Sequence, residues 1–290
     1  MIKSSQRRLG LAAASLVIIG ASASAASNAS DPVADTVIED QRAALAKNTA
    51  GAGFGPQSPR DIDTLTGSNN RAFEAAPEYT SMNLCNIHFH ESAEHRGGEF
   101  TKYVGNGDGK GYQTGYAYSG ELSDAELTPL DEPIAANEHG SLEPGDTIEV
   151  HYVHSTAQVV PGPTLGACLS ESIMNPQLRV ETQVYVLVND SAAMDFLALT
   201  EIGEVDGFQQ ALNIPDNTGE AVQYSGSTTG PSYNEKGSPL QVSWSVRPQV
   251  AKVNIQTVGK WLEGNVFDEG YAHGVRNLVT NPNLLSNAAN

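Results

Sequence analysis

Apolar and polar residues alternate along five short runs of the chain: CNIHFH (85–90), TIEVHYVH (147–154), RVETQVYVLV (179–188), LQVSWSV (240–246) and AKVNIQTV (251–258). A period of two marks a strand, and turn-forming residues separate the runs, so the pattern predicts a chain that is mainly β from residue 80 onward. Ahead of these runs, TVIEDQRAALAKN (36–48) predicts a short helix, with Thr36 and Glu39 spaced as a capping box. TAGAGFGPQSPRDID (49–63) is rich in Gly and Pro and predicts loop. GNGDGKGYQTGYAYSG (105–120) predicts a Gly-rich surface loop. Asp108 there is placed as in a calcium loop, but the later bidentate glutamate of such a loop is missing. Residues 192–212 are expected to hold one or two short helical turns, and no internal repeat is evident.

The first 25 residues stand outside this pattern. Lys3, Arg7 and Arg8 precede the apolar run LGLAAASLVIIGA, which is too short to span a bilayer, and ASASA then offers small residues for cleavage. That is the form of a secretory signal peptide, so residues 1–25 are expected to be removed and the mature protein to be periplasmic or secreted. Residues 26–56 read as a leader containing the short helix, and 57–290 as the body. No later run is apolar enough for a membrane helix. The net charge of −18 argues against nucleic acid and anionic membrane surfaces as partners. The two cysteines, Cys85 and Cys168, are an even pair in an exported chain and predict a disulfide.

Candidate chemistry gathers in NLCNIHFHESAEH (83–95). Side chains two apart on a strand share a face, so Asn86, His88 and His90 point one way while Ile87 and Phe89 point into a core. In TIEVHYVHS the same rule joins Glu149, His151 and Val153 and sends His154 to the other face. A carboxylate beside a histidine accepts its second N–H and fixes its tautomer, so His151 is the expected third ligand beside His88 and His90. Three neutral imidazoles leave the fourth tetrahedral position open, the arrangement of a catalytic zinc. HFHESAE also fits a cupin pattern, in which Glu94 itself binds iron or manganese. His139, His154 and His273 are read as surface or core histidines.

Other segments separate these readings. QSPRDIDT (57–64) resembles the Gln-Ser-Pro-x-Asp-Ile segment of α-class carbonic anhydrases, and YSGSTTGPS (224–232) resembles their Tyr-x-Gly-Ser-Leu-Thr-Thr-Pro-Pro segment. VSWSVRP resembles the strand whose tryptophan lines the pocket. NIHFH, AEH and EVHYVH resemble the family's three ligand stretches, in the same order. There are departures: three residues separate His90 from Glu94, 53 lie between His95 and Glu149, and a leucine is missing before the paired threonines. The compact HFHESAEH, the cysteine upstream and the ending HGVRNLVTNPNLLS are more similar to δ-class carbonic anhydrases.

The resemblance implies a single domain around a large, twisted, mostly antiparallel sheet with peripheral short helices and long loops (α+β by strict count). It implies zinc, with cobalt or cadmium suited to the same ligands, and reversible hydration of carbon dioxide to bicarbonate and a proton by a metal-bound hydroxide. Carried over residue by residue, Thr229 (Thr228 if one residue is deleted) hydrogen-bonds that hydroxide and donates to Glu94. Asn86 and Glu149 orient the first and third ligands, and His95 is a buried structural histidine. Val153 and Trp244 line an apolar pocket, and Tyr224 supports the loop. No histidine lies between residues 57 and 87, where the α-class keeps its proton shuttle, which leaves His139 or His273 as substitutes. The alternatives are a cupin-type metalloenzyme and a non-catalytic zinc-binding relative.

Overall fold

The computed structural model describes residues 31–64, 66–227 and 234–287. Helix α1 spans Asp35–Thr49. The strands follow as β1 (Asn83–Glu91), β2 (Lys102–Asn106), β3 (Thr114–Ala117), β4 (Ile134–Asn137), β5 (Gly140–Leu142), β6 (Thr147–Ser155) and β7 (Leu178–Val188). Helix α2 (Phe196–Leu199), strands β8 (Ile202–Val205), β9 (Phe208–Ala211), β10 (Val222–Ser227) and β11 (Gln241–Asn254), and helix α3 (Ile255–Leu262) complete the order.

Five strands form the central sheet in the order β1-β6-β7-β11-β10. Only the β7–β11 pairing is parallel, so the sheet is mixed but mostly antiparallel. Three two-stranded hairpins, β2–β3, β4–β5 and β8–β9, lie outside it. The long alternating runs of β6 and β7 lie inside the sheet, with β1 at one edge beside β6, and both faces of these three strands are covered. One face carries Leu84, Ile87, Phe89, Tyr152 and Tyr185, packed with Phe196 of α2 and with Val258 and Trp261 of α3. The other carries Cys85, Val153, Val180, Val184, Trp244 and Val246. Full burial of one such Leu, Ile or Phe side chain contributes about 1.5–3 kcal/mol.

Three sequence expectations change. AKVNIQTV is not one strand: β11 ends at Asn254, whose side chain accepts the Gln256 N–H at 3.1 Å and starts α3. Apolar residues at 255, 258, 261 and 262 then recur with the period of a helix, a pattern that four residues of alternation disguise. Helix α1 begins at Asp35, two residues earlier than Thr36 as N-cap would place it, and Ala34 caps it with no side-chain bond. The interval 192–212 holds the expected helical turn, α2, and adds the β8–β9 hairpin after it. The Gly-rich run 105–120 is largely hairpin β2–β3, and Asp108 Oδ1 accepts the N–H groups of Lys110 and Tyr112 at its turn.

Helix α1 is part of the packed body. Its Leu45 meets Val279, Leu284 and Leu285. Its Gln41 and Arg42 donate to the carbonyls of Gly109 and Leu278. This ties the hairpin turn and the C-terminal segment together beside the site described next.

Candidate metal centre

The register of β1 against β6 sets His88 opposite His151 and His90 opposite Glu149. The three imidazoles therefore share one face, with ring centroids 5.3 Å apart for His88–His90, 5.1 Å for His88–His151 and 4.7 Å for His90–His151. One nitrogen from each lies within 4.8 Å of the others.

The hydrogen bonds on the remaining nitrogens decide what those three atoms are. Asn86 Nδ2 donates to the Gly162 carbonyl at 3.2 Å, which turns Asn86 Oδ1 toward His88, where it accepts the Nδ1–H at 2.6 Å. His90 Nδ1–H donates to the Gly274 carbonyl at 2.9 Å. His151 Nε2–H donates to Glu149 Oε1 at 2.7 Å. Each partner is an acceptor, so the protons sit on those nitrogens and the other three carry lone pairs. Nδ1 of His151 and Nε2 of His88 lie 3.3 Å apart with a lone pair on each, an arrangement suited to a shared cation rather than to a hydrogen bond.

Electrostatics favour the same state. Burial, with His151 and His90 adding to it, holds His88 well below its ordinary pKa. Burial likewise brings His90 down to about 4, against the opposing pull of Glu94. Both rings are neutral at neutral pH, as ligation requires. Burial alone would raise Glu149, but His95 and His151 hold it well below the carboxylate range, so it stays an ionised acceptor. The donor set, three imidazoles with second nitrogens anchored to fixed acceptors, fits a zinc-type cation.

A second group, His95, Glu149 and His151, is also close enough to suit a metal. Its contacts are hydrogen bonds: Glu149 Oε1 accepts from His95 Nδ1–H at 2.8 Å as well as from His151. Glu149 Oε2 accepts the His95 backbone N–H at 3.1 Å. His95 Nε2 is hydrogen-bonded with the Tyr224 hydroxyl, which meets Ser58 Oγ at 2.6 Å. The guanidinium of Arg60 lies 4.2 Å over the Tyr224 ring. Burial pushes the Tyr224 phenol upward, so it stays protonated.

Around the three imidazoles, Val153 is buried and pairs with Asn86 across β1 and β6. Trp244 packs edge-on to His151 at 5.1 Å and to His95 at 5.2 Å, and lies parallel to Tyr224. Glu94 is buried; its Oε1 accepts the Arg276 N–H at 2.8 Å and its Oε2 is 3.9 Å from His90 Nε2. Glu94 does not join the metal-suited groups found among the described residues. Thr229, and its neighbour Thr228, lie outside the described residues. Cys85 and Cys168 form a disulfide.

The remaining histidines separate. His139 stacks on Tyr112 at 3.5 Å, away from the ligands. His154 is fully buried on the opposite face and donates from Nδ1 to the Tyr152 carbonyl. His273 stacks on His88 at 5.2 Å, with 44% of its side chain exposed and Nε2 2.6 Å from Glu269 Oε2. Sequence reasoning offered His273 as a substitute proton carrier but did not place its ring against His88. It missed Gly162, Gly274 and Arg276 as well, because all three act through backbone groups that leave no trace in residue type.

Comparison with known proteins adds a family. The family model described as Delta carbonic anhydrase matches residues 79–257, more than half of the chain. No curated protein matches. Among solved structures, the chain is similar to the α-carbonic anhydrase of Photobacterium profundum at 17% identity over 85% of this chain and 95% of that one, with a TM-score of 0.28. A sulfanilamide complex of the α-carbonic anhydrase from Thermovibrio ammonificans matches at 14% identity, covering 79% and 86% of the two chains, with a TM-score of 0.27. A hyperthermostable carbonic anhydrase from a hydrothermal vent chimney matches at 15% identity over 80% and 87%, also at 0.27. At those TM-scores the structural likenesses carry no weight; the family match rests on sequence.

Proposed function

The chain belongs to the delta carbonic anhydrase family, and on that premise we propose that it catalyses the reversible hydration of carbon dioxide to bicarbonate and a proton, using a divalent cation held by His88, His90 and His151. The observation that carries this reading is the set of three imidazole lone pairs within 4.8 Å, each fixed by a hydrogen bond on the ring's other nitrogen. Zinc is the default cation; cobalt and cadmium suit the same donors. When bound, such a cation makes a water acidic enough to act as a nucleophile near neutral pH.

The chain's own residues supply the rest. Asn86, Glu149 and the Gly274 carbonyl keep the ligand nitrogens deprotonated and aimed. Val153 and Trp244 offer an apolar wall to a substrate that has no dipole and little to hydrogen-bond. Tyr224, held by Ser58 and His95, stiffens the floor beneath Trp244. Glu94 is assigned the acceptor role toward the hydroxyl of Thr229, or of Thr228. Its Oε1 accepts the Arg276 backbone N–H at 2.8 Å, which fixes the direction of the side chain.

The disulfide supports maturation in an oxidising compartment, so we assign the protein to the periplasm or the extracellular space. The signal peptide expected over residues 1–25 lies outside the described residues. Among the described residues no helix is long and apolar enough to cross a membrane.

A carbon dioxide hydration assay on zinc-loaded protein, with His151→Ala alongside, tests the proposal. Rapid hydration by the parent and loss in the variant are expected. Hydration that survives His151→Ala overturns the ligand assignment, and an inactive zinc-loaded parent overturns the function.

A further inference from the structure

We propose that the Cys85–Cys168 disulfide is a positioning element of the metal site, acting through Gly162 and Asn86 on His88. This rests on the metal-centre reading above and extends it to a part of the chain with no ligand of its own.

The path begins with a bulge. The β1–β6 register shifts between Leu84 and Asn86, which leaves Cys85 as the extra residue. A bulge turns two consecutive side chains toward one face. Leu84 and Ile87 accordingly belong to one core, whereas Cys85 packs with Val153 and Trp244 in the other, beside Asn86. The disulfide and the amide that orients His88 are thus neighbours in the chain and on the same side of the sheet.

From there the path runs into the loop 156–177 between β6 and β7. Cys168 lies in this loop, 83 residues from Cys85 and fully buried. Gly162 lies in it too, where its N–H donates to the Cys85 carbonyl at 3.0 Å and its carbonyl accepts from Asn86 Nδ2 at 3.2 Å. The loop is also tied by the Ser155 Oγ bond to the Cys168 carbonyl at 2.7 Å, by the Asn83 Nδ2 bond to the Ala157 carbonyl at 3.0 Å, and by Val159 and Leu165, which pack against the cluster of Cys85 and Val153. Its tip is open to solvent, with Val160 72% exposed. The disulfide is the covalent link that keeps the Gly162 carbonyl against Asn86.

That carbonyl carries information. The two ends of an asparagine amide are nearly isosteric, and only hydrogen-bond partners decide which faces where. With Gly162 in place, Nδ2 is drawn outward and Oδ1 faces His88, so His88 is protonated on Nδ1 and has its lone pair on Nε2. With the loop released, the amide can turn. Nδ2 then faces the ring, His88 carries its proton on Nε2, and that nitrogen can no longer bind a cation.

The test is a mutant cycle read as zinc affinity, by competition with a chromophoric chelator, on the full mature protein. Asn86→Ala is expected to weaken zinc binding about tenfold to a hundredfold. The paired Cys85→Ala/Cys168→Ala change is expected to weaken it within the same range. Combining the two is expected to cost no more than Asn86→Ala alone, since both interrupt one path. In the cobalt-loaded protein, the visible bands of the four-coordinate ion should weaken in the cysteine variant as His88 leaves, a change that lost stability alone does not produce. Unchanged affinity in the cysteine variant, or losses that multiply when combined with Asn86→Ala, overturns the proposal. If the cysteine variant does not fold, the parent folded with its disulfide and then reduced with a phosphine takes its place in the cycle with the same expectations. If the parent binds no zinc in a His151-dependent way, the metal-centre reading itself fails and this proposal with it.

Discussion

Oε1 of Glu149 lies 2.7 Å from Nε2 of His151, two residues further along the same strand and on the same face. The same oxygen also takes the proton of His95 Nδ1. One buried carboxylate therefore fixes the ring proposed as a metal ligand and fastens it to the His95–Tyr224–Ser58 chain beneath it. Replacing it frees the His151 ring to choose its tautomer and strands three buried donors, the ring N–H groups of His151 and His95 and the His95 backbone N–H. Glu149→Ala is expected to weaken zinc binding by about tenfold to a hundredfold. It should also destabilise the fold by roughly 1–3 kcal/mol for each donor left unpaired. Chelator competition and denaturant unfolding check the two parts separately.

Glu94 distinguishes the two metal chemistries that the sequence allowed. In the arrangement proposed, it accepts the Arg276 N–H and acts on the substrate side, without binding the cation. Glu94→Gln keeps an oxygen for that N–H but cannot serve as a carboxylate acceptor for a threonine hydroxyl. Full zinc occupancy with hydration slowed at least about tenfold is expected, a barrier increase of about 1.4 kcal/mol or more. Elemental analysis showing zinc lost from Glu94→Gln would return the cupin arrangement to consideration.

Val153 tests the apolar wall. It follows His151 by two residues on β6, points to the same face and is buried. Val153→Phe fills space next to the ligands and is expected to cost about 1–3 kcal/mol in overpacking while leaving the imidazoles in place. The expected signature is a large fall in kcat/KM for hydration with the bound zinc unchanged. Wild-type kcat/KM in this variant would remove Val153 from the substrate's path.

Much of this site can be read from alternation alone. Once β1 and β6 are recognised, the period of two places Asn86, His88 and His90 on one face and chooses His151 over His154. The limits of that reading are equally physical. Local periodicity says nothing about loops that return from far along the chain, so the Gly162 and Gly274 carbonyls and the stacking of His273 on His88 were not legible. Backbone carbonyls do not depend on residue type, and no pattern in the sequence announces them. The bulge at Cys85 was hidden because one extra residue does not disturb a nine-residue strand enough to show. The switch from β11 to α3 was missed because Val253, Ile255 and Thr257 continue the alternation for two residues past the strand's end.

His154, across the sheet from the ligands, gives a pH prediction. Burial lowers its pKa from 6.5 to about 3, with the Tyr152 carbonyl opposing and Arg179 assisting. The folded protein then binds fewer protons than the unfolded chain between those values. The contribution of His154 is present in full above pH 6.5 and is lost as pH falls toward 3, by up to about 1.4 kcal/mol per pH unit. Urea unfolding of the metal-free protein at several pH values should show this slope, and His154→Leu should lack that component. Parallel curves for the two proteins would contradict it.

The central claim is that His88, His90 and His151 share one cation, and anomalous diffraction at the zinc edge from crystals of the zinc-loaded protein tests it most directly. The account predicts a single strong peak about 2.0–2.1 Å from Nε2 of His88, Nε2 of His90 and Nδ1 of His151. A peak bonded to Glu94, or none between these three rings, would contradict it.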